Sequence, residues 1–182
     1  MALEIERRFL VSGDQWRSHA HRARAIRQGY LVTGNGELTL RVRLAQAPDG
    51  AMEAFLTLKL PAAGAAESPP VGQALTRQEY EYPIPAADAE ALLEGSAHQL
   101  CKTRYGLDLP GGDWVLDVFE AANAPLVVAE VELERADQAV AVPAWCSREI
   151  TGRRELSNAA LAHRPLASWP VAERESLLPQ DS

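Results

Sequence analysis

Cysteine is almost missing from this chain. Cys101 and Cys146 are the only two in 182 residues, they lie far apart, and neither has a CxxC or His-Cys neighbourhood. A disulfide framework is therefore excluded as the organising principle, and a reducing, cytoplasmic setting is the expected one. No apolar run approaches the ~18 residues that a membrane-crossing helix needs, so no span and no membrane partner are expected. The amino terminus shows no basic segment followed by an apolar stretch, so no signal peptide is expected. Positive charge is short as well: 18 Lys and Arg stand against 25 Asp and Glu, a net charge of −7. That balance excludes a nucleic-acid partner held by a basic surface, while leaving room for a local basic cavity. Metal ligation by His19 and His21 is conceivable, but they sit among Arg17, Arg22 and Arg24 and read better as a solvated basic face.

What is present is a globular composition, 47% apolar and 24% charged, in a length that suits one domain with a real core. Residues 2–11 alternate: Leu3, Ile5 and Phe9 fall on one strand face, and Glu4, Glu6 and Arg8 on the other. The same alternation recurs downstream. Strands are expected at 26–33, 37–45, 52–60, 73–84, 99–107, 114–119 and 126–134. Turn residues stand between several of them: Gly34-Asn35-Gly36, Pro48-Asp49-Gly50, Pro110-Gly111-Gly112 and Asn123-Ala124-Pro125. Helices are expected at 15–24, 86–94 and 158–163, with Val142–Trp145 as an extended segment packing an aromatic and 148–152 as a loop. The proline- and alanine-rich stretch 61–72 reads as a long, mobile hairpin loop. Residues 164–182 show little periodicity and read as a weakly ordered tail, with Trp169 as the one residue suited to pin it. Eight antiparallel strands joined mostly by hairpins predict a mostly β (α+β) fold: an up-and-down barrel or a strongly curved sheet, with a few short covering helices.

On any one strand, a charged face pointing to water is the ordinary arrangement. Across the set, three features favour an inward one. Like charges recur at i, i+2: Glu4/Glu6, Glu79/Glu81 and Glu130/Glu132 against Arg41/Arg43 and Lys102/Arg104. Neighbouring like charges repel, so a purely structural surface would mix signs. The apolar faces, such as Leu40/Val42/Leu44, also need cover that short helices can give from outside. Finally, buried charge demands compensation. Carboxylate pairs suit Mg²⁺ or Mn²⁺. Arg8, Arg41, Arg43, Lys59, Arg77, Lys102 and Arg104 suit several phosphates. Together they describe a metal–phosphate ligand inside a tunnel.

The ordered set of segments resembles the CYTH-domain, or triphosphate tunnel metalloenzyme, family. Its carriers are Glu4-Ile5-Glu6-Arg7-Arg8-Phe9-Leu10-Val11, Ile26-Arg27-Gln28-Gly29-Tyr30-Leu31, Leu40-Arg41-Val42-Arg43, Arg77-Gln78-Glu79-Tyr80-Glu81-Tyr82, Lys102-Thr103-Arg104-Tyr105, Asp117-Val118-Phe119, Ala129-Glu130-Val131-Glu132-Leu133 and Glu149-Ile150-Thr151-Gly152. The resemblance implies a closed eight-stranded antiparallel triphosphate tunnel over 1–163. It implies Mg²⁺ or Mn²⁺ on Glu4, Glu6, Glu130 and Glu132, with Asp117 joining them. Glu79 and Glu81 would support metal or water, and Glu4, Glu6, Arg8, Lys59, Glu79 and Glu81 form the implied catalytic set. Arg8, Arg41, Arg43, Lys59, Arg77, Lys102 and Arg104 would hold phosphates.

Three departures stand out. Arg8 replaces the signature lysine, Val115 stands where relatives often have Glu, and Glu155-Leu156-Ser157-Asn158 replaces a more usual Arg-Tyr-Ser-Asn. The branch most similar is the small bacterial inorganic triphosphatases, so the implied activity is hydrolysis of inorganic triphosphate by metal-activated water. The alternatives are a class IV adenylyl cyclase, whose nucleophile is a ribose hydroxyl, and a non-catalytic polyphosphate or nucleotide-binding module. The implied partner is a triphosphate-containing small molecule, on a monomer or homodimer.

Overall fold

The computed structural model describes residues 3–33, 38–66 and 68–178; the turn at Gly34-Asn35-Gly36 and Glu37 lie outside them. Among the described residues nine strands form: β1 (Leu3–Val11), β2 (Ala20–Thr33), β3 (Thr39–Gln46), β4 (Met52–Pro61), β5 (Leu75–Pro83), β6 (Gln99–Leu107), β7 (Asp113–Phe119), β8 (Val127–Glu132) and β9 (Cys146–Glu149). The first eight run in the order β5-β4-β3-β2-β6-β7-β8-β1, and β1 pairs back onto β5, so the sheet closes into an antiparallel barrel. Closure makes β1 the seam. Its residues 3–6 pair with β5, residues 6–10 pair with β8, and the short β9 joins at Phe9–Val11. A strand has two edges, and β8 occupies one of them at Phe9 and Leu10. β9 therefore takes over the edge that β5 leaves.

The alternation seen in the sequence sorts the barrel into inside and outside. Outward Val42, Leu44 and Ala54 pack under α1 (Ala86–Glu94), through Ala89 and Leu93. Outward Ile5, Phe9, Trp114, Leu116, Ala129 and Val131 pack under Trp16 and Trp145. The third cluster is different. Along β1, β6, β7 and β8 the inward position beyond the last charge is apolar: Leu10 after Arg8, Leu100 beyond Lys102, Phe119 after Asp117, Val128 beyond Glu130. These four meet Ile150, Leu156, Leu161, Leu166, Trp169 and Leu177 in one buried cluster. One end of the barrel is thus sealed by the segment after β9, including α2 (Asn158–His163) and α3 (Val171–Leu177). Asn123 stitches the seal, donating to the Leu161 carbonyl at 3.2 Å and accepting the Leu166 N–H at 2.9 Å.

The structure differs from the expected elements in four places. The helix over 15–24 is only a 3₁₀ turn at Gln15–His19, and β2 starts at Ala20. Arg22 sits at φ 50 and the β2–β6 register shifts between His21 and Arg24, which breaks the alternation that marks a strand. Arg148 and Glu149, expected in a loop at 148–152, are instead the last two residues of β9. The 61–72 loop connects β4 and β5 as a hairpin, but it is fastened to the β9 turn, by Ser68 to the Gly152 carbonyl and by the Gly72 N–H to Glu149. The segment after His163 has three buried attachment points, Leu166, Trp169 and Leu177, where one was expected. Leu177→Ala should accordingly lower the unfolding free energy by about 2 kcal/mol, the low end for a buried leucine because a site near the chain end can relax. Urea denaturation checks it; an unchanged midpoint would mean that α3 does not help to seal the barrel. No helix among the described residues is long and apolar enough to cross a membrane.

Candidate functional site

The open part of the barrel interior is a cavity of about 480 Å³. β1 supplies Glu4, Glu6 and Arg8; β3 supplies Arg41 and Arg43; β4 supplies Lys59. β5 adds Arg77, Glu79 and Glu81, β6 adds Arg104, and β8 adds Glu130 and Glu132. Apart from Lys59, each stands two residues from another charged side chain on its strand, and the pleat that buries their neighbours outside turns them all inward. Eight cationic side chains against six carboxylates line it, a positive site in a chain of net charge −7.

Pairing across strands is dense. Glu4 accepts from Lys59 Nζ at 2.6 Å and from Arg77 Nη2 at 2.9 Å; Arg77 Nη2 also reaches Glu6 at 2.9 Å. Lys59 lies 3.3 Å from Glu79. Arg41 Nη2 donates to Thr57 Oγ1 at 3.0 Å and to Glu81 at 3.3 Å, and Arg43 donates to Glu81 at 2.8 Å. Arg8 Nε binds Glu130 at 3.0 Å, and its Nη1 reaches the Leu156 carbonyl of the seal at 3.1 Å. Beneath the cavity floor, Asp117 accepts from Lys102 Nζ at 2.5 Å and from Arg104 Nε and Nη2 at 2.7 Å each. Arg104 also bridges to Glu130 at 2.8 Å.

The carboxylates divide by environment. Burial pushes Glu4 up, but Lys59 and Arg77 outweigh it and bring the carboxyl down to about 2. Burial likewise opposes ionisation of Glu130, yet Arg104 and Arg8 hold it well below the usual range. Glu6 goes the other way: burial first, then the charge on Glu4, raise it against the pull of Arg77. Glu132 is raised by burial, then by Glu4 and Glu79. Lys102, fully enclosed, is lowered by burial to about 8 although Asp117 opposes the shift.

Asp117 and Lys102 do not join the other candidates on the cavity wall; both are almost fully buried and engage each other. Four residues outside the implied site set also line it: Tyr30, Arg153, Arg154 and Ser157. The Tyr30 hydroxyl accepts from Gln28 Nε2 at 2.8 Å, leaving its own proton to donate, and burial pushes it up to about 12. Gln28 and Tyr30 stand at i, i+2 on one strand, a spacing that carries this signal in the sequence. Three guanidinium nitrogens of wall residues, Arg8 Nη2, Arg41 Nε and Arg77 Nε, are buried without an acceptor. Among the described residues, no three Asp, Glu, His or Cys side chains converge closely enough to hold a metal ion.

The CYTH domain family matches residues 2–162. The chain belongs to the CYTH domain family. An inorganic triphosphatase from Acetivibrio thermocellus is 33% identical over 171 residues, covering 93% of this chain and 99% of the relative. One from Nitrosomonas europaea is 36% identical over 163 residues, covering 87% and 96%. A crystal structure of the inorganic triphosphatase NE1496 superposes with a TM-score of 0.57 at 36% identity, over 93% of this chain and 98% of that one. Within this CYTH domain, the longer side chain at Arg8 is what spans Glu130 and the seal, a reach that one ammonium could not divide in the same plane. Val115 pairs with Glu130 on one side and Gly106 on the other, so this stretch of wall carries one carboxylate rather than two.

Proposed function

We propose that this protein hydrolyses inorganic triphosphate to pyrophosphate and phosphate in the barrel cavity. The observation that carries the reading is the convergence of cations on one cavity sealed at one end. Arg8, Arg41, Arg43, Lys59, Arg77 and Arg104 face the same space, where phosphate oxygens can take the place of their carboxylate partners. The two inorganic triphosphatases, similar over nearly their whole length, support the substrate choice.

The residues fit a hard divalent cation by donor chemistry. Glu6 and Glu132 stand directly opposite each other on β1 and β8, and each carboxyl is raised by burial and by neighbouring carboxylates. A cation there would relieve both. Glu4, Glu130 and Asp117 do not fit the set, because Lys59 and Arg77, Arg8 and Arg104, and Lys102 and Arg104 respectively already occupy their oxygens. When bound, Mg²⁺ or Mn²⁺ would supply an activated water and offset charge on the phosphates. The chain's own part is positional. Arg41, Arg43 and Arg77 would exchange carboxylate partners for phosphate oxygens, as guanidinium forks do. Arg8 and Arg104, held by Glu130, would stabilise charge developing at the deep end. The sealed end keeps bulk water from the far side of the substrate.

The deciding experiment incubates the protein with inorganic triphosphate or ATP, with Mg²⁺ or Mn²⁺, and resolves the products. Orthophosphate from triphosphate is expected; cyclic AMP from ATP, or binding without turnover, would overturn the assignment. Arg41→Ala should raise the triphosphate KM about tenfold, the weight of one charge-assisted contact. An unchanged KM in initial-rate assays would remove Arg41 from the binding wall.

A further inference from the structure

The inward face of β1 serves the cavity, but its outward residue Arg7, between Glu6 and Arg8, belongs to none of that chemistry. Its guanidinium grips Glu149 with two prongs, Nε to Oε1 and Nη2 to Oε2, both at 2.9 Å. The same carboxylate accepts Thr151 Oγ1 at 2.7 Å and the Gly72 backbone N–H at 2.9 Å. One side chain thus joins three segments: the seam strand β1, the turn after β9, and the far end of the alanine-rich loop between β4 and β5. Burial would raise this carboxyl, but the donors around it hold it below the ordinary range, so the clasp keeps its charge at neutral pH.

A second contact backs the first. Ser68 Oγ donates to the Gly152 carbonyl at 3.2 Å. Gly152 has φ +71, and a Cβ there would stand 2.6 Å from Pro69 Cδ and 3.1 Å from Ser68 Cα. The two segments so joined both reach the cavity. The loop contributes Pro61, Ala62, Ala65 and Ala66 to its wall, and the turn contributes Arg153 and Arg154. Arg7 and Glu149 themselves do not line it.

We infer that Glu149 is a positioning residue: from outside the barrel it clamps the alanine-rich loop and the Arg153–Arg154 turn into one wall before substrate arrives. The inference rests on the proposed function for the identity of the anion, and on the contacts above for the clamp. A wall ordered in advance spares the binding step the entropy of ordering it. Releasing the clamp moves that cost into binding and removes no charged side chain from the cavity wall. KM should then rise while kcat holds.

The test compares Glu149→Ala, Glu149→Gln and Gly152→Ala with the wild type. In Glu149→Ala the Gly72 amide should exchange with solvent hydrogen about tenfold faster or more, since its acceptor is gone. In the same variant KM for inorganic triphosphate should rise about tenfold with kcat within about twofold. Gly152→Ala leaves Glu149 intact and displaces Pro69, and should give the same rise in KM. Glu149→Gln keeps an acceptor for Gly72 but loses the charge facing Arg7, and should fall between wild type and alanine. Unchanged Gly72 exchange in Glu149→Ala overturns the clamp. A freed loop with unchanged KM, or a fall in kcat alone, overturns the positioning role. A wild type without turnover overturns the proposed function instead, and exchange at Gly72 still decides the clamp.

Discussion

Asp117→Ala should lower the unfolding free energy by about 3–5 kcal/mol, because it strands a lysine inside the protein. Asp117 is 0% exposed and Lys102 2%. Arg104 keeps Glu130 as a partner, but Lys102 would keep only Asn158 Oδ1, at 3.1 Å. Adding Lys102→Met to Asp117→Ala should recover most of the loss, since an apolar side chain of similar length needs no partner. The cost should also depend on pH, with a definite sign. Lys102 titrates at about 8 in the folded chain against 10.5 as its ordinary value. Between these, the unfolded chain holds a proton that the folded chain has released, so this group makes stability rise with pH. Removing Asp117 takes away the largest influence favouring the charged lysine, and the rise begins at lower pH. Urea titrations should therefore find the penalty of Asp117→Ala smaller at about pH 9.5 than at about pH 7. An equal penalty at both would show that a stranded charge is not its source.

This pair also marks the boundary of what the sequence could tell. Alternation alone placed Glu4, Glu6, Arg8, Arg41, Arg43, Lys59, Arg77, Glu79, Glu81, Arg104, Glu130 and Glu132 on inward faces, and every one of them lines the cavity. It could not show depth along a strand. Asp117 and Lys102 carry the same signal as the wall residues, yet lie below them, where the next inward positions turn apolar and meet the seal. Nor could it show partners. Like charges at i, i+2 name no partner, and β1 and β5 are neighbours only through barrel closure, so Glu4 meets Arg77 across 73 positions of sequence. The seal was hidden for a related reason. Leu166, Trp169 and Leu177 sit on a 3₁₀ turn (Leu166–Ser168), the residue after it, and α3, with Pro170 between, so no one helix carries the pattern. β9 escaped notice because four residues, half of them exposed, pair on a single edge.

Glu6→Gln should make the protein more stable and much less active. Glu6 is 8% exposed, and its carboxyl is raised by burial and by the charges of Glu4 and Glu130. A carboxyl with a raised folded pKa favours the fold when protonated, and that contribution is lost as pH rises through the folded value. At neutral pH, above the ordinary carboxylate range, the raised carboxyl therefore costs stability, and glutamine, isosteric and permanently neutral, removes the cost. Arg77 retains Glu4 at 2.9 Å, so no new charge is stranded. Turnover should fall by about a hundredfold or more, the usual scale for removing one preorganised charge from a reacting site. The acid side of the rate profile should change with it. Glu6 and Glu132, whose carboxyls take up protons above the ordinary range, should give the first loss of kcat/KM on acidification. In Glu6→Gln that first loss should rest on Glu132. Glu53→Gln, at a solvated carboxylate paired with Arg24 on the barrel exterior, is the control and should move neither property. Thermal melts and initial rates on the same preparations decide the matter. A variant both less stable and inactive would make Glu6 a structural ion-pair partner. A variant more stable and fully active would leave the charge on the seam strand without a function. Higher stability bought with lost turnover is the outcome that a site holding uncompensated charge for its substrate requires.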